Sequence, residues 1–298
     1  MRRIQTIAEL RETVQAKRRA GIEIGLVPTM GALHDGHASL IRRAAAECGY
    51  VVVSIFVNPT QFGPGEDFER YPRKADADAA LAEACGADAV FLPSVDDMYP
   101  GEPRTTVHVE QVTARLCGAS RPGHFDGVAT VVAKLLNLVQ PDRAYFGLKD
   151  AQQVAVVRQM TLDLNLPVRI VPCETVREPD GLALSSRNVY LSAAERRQAT
   201  ILWEALEAAQ RQLEQAPQIT AAELEALLRG TIGRAPLAEL EYAEVLRFPE
   251  LEPPVGALDS AAAESDLIVA LAVRFGGTRL IDNRVFQRKE ATLACTER

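Results

Sequence analysis

Val27-Pro-Thr-Met-Gly-Ala-Leu-His-Asp-Gly-His-Ala-Ser-Leu40 has the texture of a buried strand that breaks into a glycine-marked turn and restarts as a helix. Residues 22–27 supply the apolar strand, Pro28 and Gly31 mark its end, and from Gly36-His37 apolar residues recur at helical spacing through Ala46. His34 and His37 therefore fall at a helix N-terminus, where the first-turn N–H groups lack helical partners and the dipole is positive. That combination predicts a pocket for a nucleotide phosphate. Two other readings use the same residues. His-x-x-His is a spacing that zinc ligands use, but Cys48, Cys85, Cys117, Cys173 and Cys295 are scattered with no C-x-x-C, and no second histidine cluster completes a tetrahedral set. Alternatively, the two rings merely cap the turn.

The 298 residues favour one large domain plus a smaller one, and 47% hydrophobic against 24% charged residues is the balance of a soluble globular protein. No segment approaches a membrane span and Met1-Arg-Arg-Ile-Gln-Thr-Ile7 has no apolar signal core, so we expect a cytoplasmic protein without a membrane partner. Five unspaced cysteines fit a reducing compartment. A formal charge of −7 and the lack of a basic stripe argue against nucleic acid, while a locally positive pocket for a small anion stays compatible with it.

Outward from the turn, residues 6–20 read as an amphipathic helix. Residues 50–57 are a near-continuous β-branched run, as a strand buried on both faces requires, ending at Asn58-Pro-Thr-Gln-Phe62. Polar groups at the carboxyl end of such a strand are where open α/β sheets bind ligands. Gly63-Pro-Gly-Glu-Asp-Phe-Glu-Arg-Tyr-Pro72 holds too much Gly and Pro for an element and reads as a mobile loop, a candidate lid. Helices at 74–85, 125–139 and 152–164 and strands at 88–92, 143–147 and 168–172 continue the alternation, which predicts an α/β fold with a parallel, doubly wound sheet. Gly147-Leu-Lys-Asp150 is a second strand-to-helix turn, with a cation at its tip. Beyond a boundary near Thr175, Ala/Leu/Glu-rich helices at 192–215 and 220–231 precede strands at 240–246, 267–273 and 278–282, with 249–255 a Pro-rich connector. At that boundary Leu182-Ala-Leu-Ser-Ser-Arg-Asn188 gathers two hydroxyls and a guanidinium ahead of a helix that Ser192 caps. Arg187 has donors matched to phosphate oxygens, and Ser185 and Ser186 add uncharged ones. An ordinary polar turn has the same composition.

Five segments in order resemble the pantoate–β-alanine ligase (pantothenate synthetase) family along essentially the whole chain: Pro28 to His37, similar to the HIGH signature of nucleotidyltransferases, Phe56 to Phe62, Arg121 to Gly127, Phe146 to Gln153, and Leu184 to Asn188, the counterpart of a KMSKS loop. The resemblance implies a Rossmann-like nucleotide- and pantoate-binding domain at 1–175, a smaller α+β lid domain at 176–298, ATP with Mg²⁺ and a homodimer. The implied reaction condenses (R)-pantoate with β-alanine through a pantoyl-adenylate, in coenzyme A biosynthesis. It also implies that ATP is cradled by Met30, Gly31, Ala32, Leu33, His34, Asp35, Gly36 and His37, by Gly147, Leu148, Lys149 and Asp150, and by Val176, Leu184, Ser185, Ser186 and Arg187. Gln61 and Gln153 would hold pantoate. Leu148 stands where the family usually has Glu.

Activation of a carboxylate at the α-phosphate brings two anions together, so cations are wanted: His34, His37, Lys149 and Arg187, with Mg²⁺ on the phosphates. Lys149 is the expected main stabiliser of the α-phosphate, and Ser186 completes the expected catalytic set. Asn58, Gln61 and Tyr71 are candidates for the β-alanine edge, with plain packing as the alternative for Tyr71. Val131 and Val132 are either core or the apolar wall for pantoate's gem-dimethyl group. Asp78 and Asp150 are the candidate magnesium neighbours. Two other functions compete: an adenylyltransferase acting on a phosphate ester, which shares the histidine turn but wants extra Arg/Lys for its second phosphate substrate, and a non-catalytic nucleotide-binding regulator.

Overall fold

The computed structural model describes residues 1–287; Cys295 lies outside them. The chain splits into two compact units, the first comprising Met1–Glu178 with Ala183–Ser186 and the second Pro179–Leu182 with the chain from Arg187 onward.

The first unit runs β1 (Arg2–Ile4), α1 (Ile7–Arg19), β2 (Ile24–Thr29), α2 (Asp35–Glu47), β3 (Tyr50–Ile55), α3 (Ala75–Ala84), β4 (Ala89–Phe91), α4 (Val95–Met98), α5 (Leu116–Ser120), α6 (His124–Val139), β5 (Arg143–Gly147), α7 (Ala151–Asp163) and β6 (Arg169–Cys173). Its six strands are all parallel, in the order β1-β4-β3-β2-β5-β6. The β-branched runs explain the centre of the sheet: Val51, Val52 and Val53 of β3 and Leu26 and Val27 of β2 are fully covered, as strands between two helical layers must be. From β2 the chain steps outward one way through β3 to β4, with α2 and α3 packed together; from β5 it steps the other way to β6, with α1, α6 and α7 as the other layer. The direction reverses between β2 and β5. In an open parallel sheet the carboxyl ends of the strands flanking that reversal frame the ligand crevice.

The alternation anticipated from the sequence is thus present, and the differences are local. β1 escaped notice because it is only three residues long with two arginines, a composition suited to a sheet edge. α4 and α5 are too short to show a period; α4 is held by a Ser94/Asp97 capping box.

The second unit contains α8 (Ala193–Gln198), α9 (Ile201–Gln215), α10 (Ala221–Ile232), β7 (Ala238–Phe248), α11 (Leu258–Glu264), β8 (Asp266–Phe275) and β9 (Thr278–Phe286). Its three strands form an antiparallel sheet in sequence order, packed against α9 and α10 through Leu202, Leu206, Leu228, Val269 and Leu271. The single helix expected at 192–215 is two: the ladder is interrupted at Ala199-Thr200, which keep helical dihedrals while Leu202 N–H makes a tighter bond to the Ala199 carbonyl. Among the described residues no helix is long and apolar enough to cross a membrane.

Candidate active site

The turn after β2 is built by side chains that bond its own backbone. Gly31 and Ala32 both lie in the left-handed region, φ +82° and +50°, and a Cβ on Gly31 would stand 3.0 Å from Asp78 Oδ2 and from a methyl of Ile55. The Gly31 N–H donates to Thr29 Oγ1 at 3.2 Å, Ala32 N–H to Asp78 Oδ2 at 2.9 Å and Leu33 N–H to Asp78 Oδ1 at 2.8 Å. His34 N–H donates to His37 Nδ1 at 3.3 Å and Gly36 N–H to His34 Nδ1 at 3.1 Å, a reciprocal cap of α2. The N–H groups of Gly31 to His34 and of Gly36 are therefore spent inside the protein, and the rings do cap the turn. The imidazoles add donors of their own. Because each Nδ1 accepts, each neutral ring carries its proton on Nε2, and neither Nε2 is hydrogen-bonded among the described residues. The ring centroids are 4.2 Å apart.

The expectation that these histidines are cations needs correcting. Burial, then the Lys149 ammonium, pushes His34 below its ordinary value; burial, then His34, holds His37 at about 3. His37 is packed round by protein yet remains partly exposed. Both rings are neutral donors at neutral pH.

At the neighbouring strand end, β5 leads through a 3-10 turn, Leu148–Asp150, into α7, with no side chain capping either start. Lys149 Nζ lies 3.6 Å from Asp150 Oδ2, and the Asp150 side chain is 49% exposed against 20% for Lys149. Lys149 lowers and Asp150 raises the pKa of both histidines, so the two turns face one region.

Gln61 is buried in the 3-10 turn Pro59–Gln61, its Oε1 accepting from Asn58 Nδ2 at 3.1 Å and its Nε2 donating to the Met30 sulfur at 3.0 Å. Asn58, expected at the β-alanine edge, is instead 1% exposed and saturated: its Nδ2 also donates to the Gly127 carbonyl, and its Oδ1 accepts from Thr60 and Tyr99. Its geometry orients Gln61. Gly127 permits the approach, since a Cβ there would sit 2.3 Å from the Thr60 carbonyl oxygen. Gln153 is partly exposed and makes no side-chain hydrogen bond among the described residues, whereas its neighbour Gln152 ties down the carbonyls of Val112 and Arg115. Tyr71 is buried edge-on to Phe62, with its hydroxyl 3.5 Å from Ser186 Oγ. Val131 and Val132 are both core residues of α6. One turn on from Gly127, Val131 shares the face turned to the Gln61 turn; Val132 is about 100° further round.

Leu184 N–H bonds the Val176 carbonyl at 3.0 Å, beside an Arg177–Ala183 bridge, which folds this segment back on itself. Ser185 and Ser186 follow in the first unit; Arg187 opens the main stretch of the second.

The metal expectation splits. Asp78 is 3% exposed with both oxygens on backbone N–H groups, so it is a buttress of the turn rather than a metal neighbour. Asp150 is exposed at the strand end, and one such carboxylate suffices for Mg²⁺ that keeps waters and phosphate oxygens as its other ligands. Zinc finds no group of three His, Cys, Asp or Glu among the described residues.

Sequence reading also missed a latch. Arg121 makes a bidentate pair with Glu66 of the 63–72 loop, at 2.7 and 2.6 Å, and donates to His124 Nε2 at 3.0 Å; His124 Nδ1 donates to the Gln61 carbonyl at 2.8 Å. Burial opposes ionisation of Glu66, but Arg121 overrides it and holds the carboxyl at about 2; burial, then Arg121, holds His124 at about 4.

A family model described as pantoate–β-alanine ligase matches residues 2–285. A pantothenate synthetase of Pelotomaculum thermopropionicum is 51% identical over 280 residues, 94% of this chain and 97% of that protein. The crystal structure of pantothenate synthetase from Thermus thermophilus is similar with a TM-score of 0.87 at 47% identity, over 95% of this chain and 99% of that one. The pantoate–β-alanine ligase of Francisella tularensis, solved in complex with β-γ ATP and β-alanine, gives 0.76 at 34% identity over 96% and 97%. Matched by the family model over nearly its whole length and about half identical to a pantothenate synthetase over 94% of its residues, the chain belongs to the pantoate–β-alanine ligase family.

Proposed function

We propose that this chain condenses (R)-pantoate with β-alanine at the expense of ATP, giving pantothenate, AMP and pyrophosphate. One observation carries the site assignment: a neutral histidine pair with its protons fixed on Nε2 stands with Lys149 at the two strand ends flanking the sheet reversal.

In the first step a pantoate carboxylate oxygen bonds to the α-phosphorus of ATP, and the bond from that phosphorus to the pyrophosphate oxygen breaks. Lys149 supplies positive charge to the α-phosphate, and His34 and His37 donate Nε2–H to phosphate oxygens without carrying charge themselves. Gln61 gives pantoate an amide donor by exchanging the Met30 sulfur, a weak acceptor, for an oxygen, so little is lost on binding. Gln153 offers a second, uncommitted amide, and Val131 the apolar wall. Asp150 would hold Mg²⁺, which supplies charge neutralisation on the phosphates when bound. The segment with Val176, Leu184, Ser185, Ser186 and Arg187 is assigned to the rest of ATP, residues 1–175 to nucleotide and pantoate binding and 176–298 to the lid.

In the second step the β-alanine amine bonds to the acyl carbon, the carbon–oxygen bond to AMP breaks and the amine loses a proton. An acyl-adenylate hydrolyses readily, so the 63–72 loop, tied down by Glu66 and Arg121, excludes water. A cytoplasmic homodimer is part of the same proposal.

Incubation with ATP, Mg²⁺, pantoate and β-alanine tests the reading. AMP release should require both organic substrates. Transfer of AMP to a phosphate ester, or no turnover, would replace it by the adenylyltransferase or the regulator.

A further inference from the structure

We propose that Asp78 is a positioning residue for adenylation, acting through the histidine turn; the proposal rests on the functional reading above. Asp78 lies in the first turn of the Ala-rich α3 and is 3% exposed. A buried carboxylate is tolerated only when its oxygens are bonded, and here both are, by the adjacent N–H groups of Ala32 and Leu33. With positive φ at Gly31 and Ala32, these consecutive N–H groups form a concavity of the kind that binds anions. The protein fills it with its own anion. The consequence is twofold. The loop itself has no donors left at these positions for a phosphate, so recognition passes to the imidazoles. And the residue next to Leu33 is His34, whose backbone N–H holds His37 Nδ1 while its own ring accepts from Gly36 N–H, so the placing of this backbone sets both rings. An amide at position 78 has one acceptor oxygen and turns an NH₂ toward an N–H, donor against donor.

The test uses Asp78→Asn in the full chain with two readouts. Long-range ¹H–¹⁵N spectra of the wild type should show His34 and His37 protonated on Nε2 alone; in Asp78→Asn the single tautomer at His34 should be lost. Single-turnover adenylate formation from ATP and pantoate should fall about 10- to 100-fold with a raised KM for ATP, while attack of β-alanine on preformed pantoyl-adenylate changes less than about 3-fold. Unchanged tautomers and an unchanged KM for ATP would overturn the proposal, as would equal losses in both steps, which indicate general loosening. If Asp78→Asn does not fold, Gly31→Ala addresses the same contact, because its Cβ would lie 3.0 Å from Asp78 Oδ2; normal adenylation there would overturn it too. A wild type that releases no AMP would sink the functional reading instead, while the spectra still decide whether Asp78 holds the turn.

Discussion

The turns after β2 and β5 stand at adjacent strand ends and are built in opposite ways. Around β2, the side chains of Thr29, Asp78, His34 and His37 take up the N–H groups of Gly31 to His34 and of Gly36, the rings are half-buried and neutral, and two left-handed residues are held in place. Around β5 no side chain caps the turn, and it presents a cation and an exposed carboxylate side by side. The first supplies fixed direction and the second supplies charge. A reaction between two anions needs both, and separating them lets the charged group move with its substrate while the neutral donors stay preorganised.

The largest test of that division is Lys149→Ala. It removes the one charge assigned to the α-phosphate from a turn that no side chain caps, so adenylation should lose on the order of 3–4 kcal/mol, roughly 10²–10³ in rate, with folding retained. Near-normal turnover, or a protein that does not fold, would erase the contrast between the turns.

A smaller effect comes from the neutral rings. The unfolded chain takes up protons at His37 and His124 below about pH 6.5, whereas the folded chain resists them until about 3 and about 4. Stability should therefore fall as pH drops through that window, by about 2 kcal/mol per ring at pH 5 relative to pH 7. Glu66, held at about 2, keeps its contribution between pH 7 and pH 5 and loses it only below about 4.5. Denaturant midpoints at the two pH values should converge in His37→Gln by that ring's share; the same acid loss in mutant and wild type would mean that the ring is not held neutral.

The smallest expected effect is Thr29→Val. It deletes the acceptor for Gly31 N–H and the donor to the Ser54 carbonyl, and should cost about 1 kcal/mol in stability. The matched comparison is Lys149→Ala, where the larger loss should fall on adenylation.

The sequence made legible whatever rests on local pattern. The β-branched run of β3, the helical period after His37 and the glycine punctuation were enough for the parallel sheet, and two strand-to-helix turns with polar tips pointed to Lys149 and the histidines. What stayed hidden depends on partners far along the chain. Asp78 reads from sequence as a magnesium neighbour, whereas its oxygens are taken by Ala32 and Leu33, 46 and 45 residues back along the chain. The neutrality of the histidines needs burial and the nearby Lys149, neither visible in Gly-Ala-Leu-His-Asp-Gly-His. Asn58 looked substrate-facing because its saturation involves Gly127 and Tyr99, 69 and 41 residues away.

The most direct test of the central claim, that both turns serve the phosphate and not the amine, separates the half-reactions in His37→Gln and Lys149→Ala. Single-turnover quench from ATP and pantoate measures adenylate formation; the same experiment from preformed pantoyl-adenylate and β-alanine measures amide formation. The account predicts a loss of roughly 10²–10³ in the first step for Lys149→Ala and a strong loss for His37→Gln, with less than about 10-fold in the second step for either. Equal losses in both steps would contradict it, and would recast the two turns as supports for the geometry of the whole site.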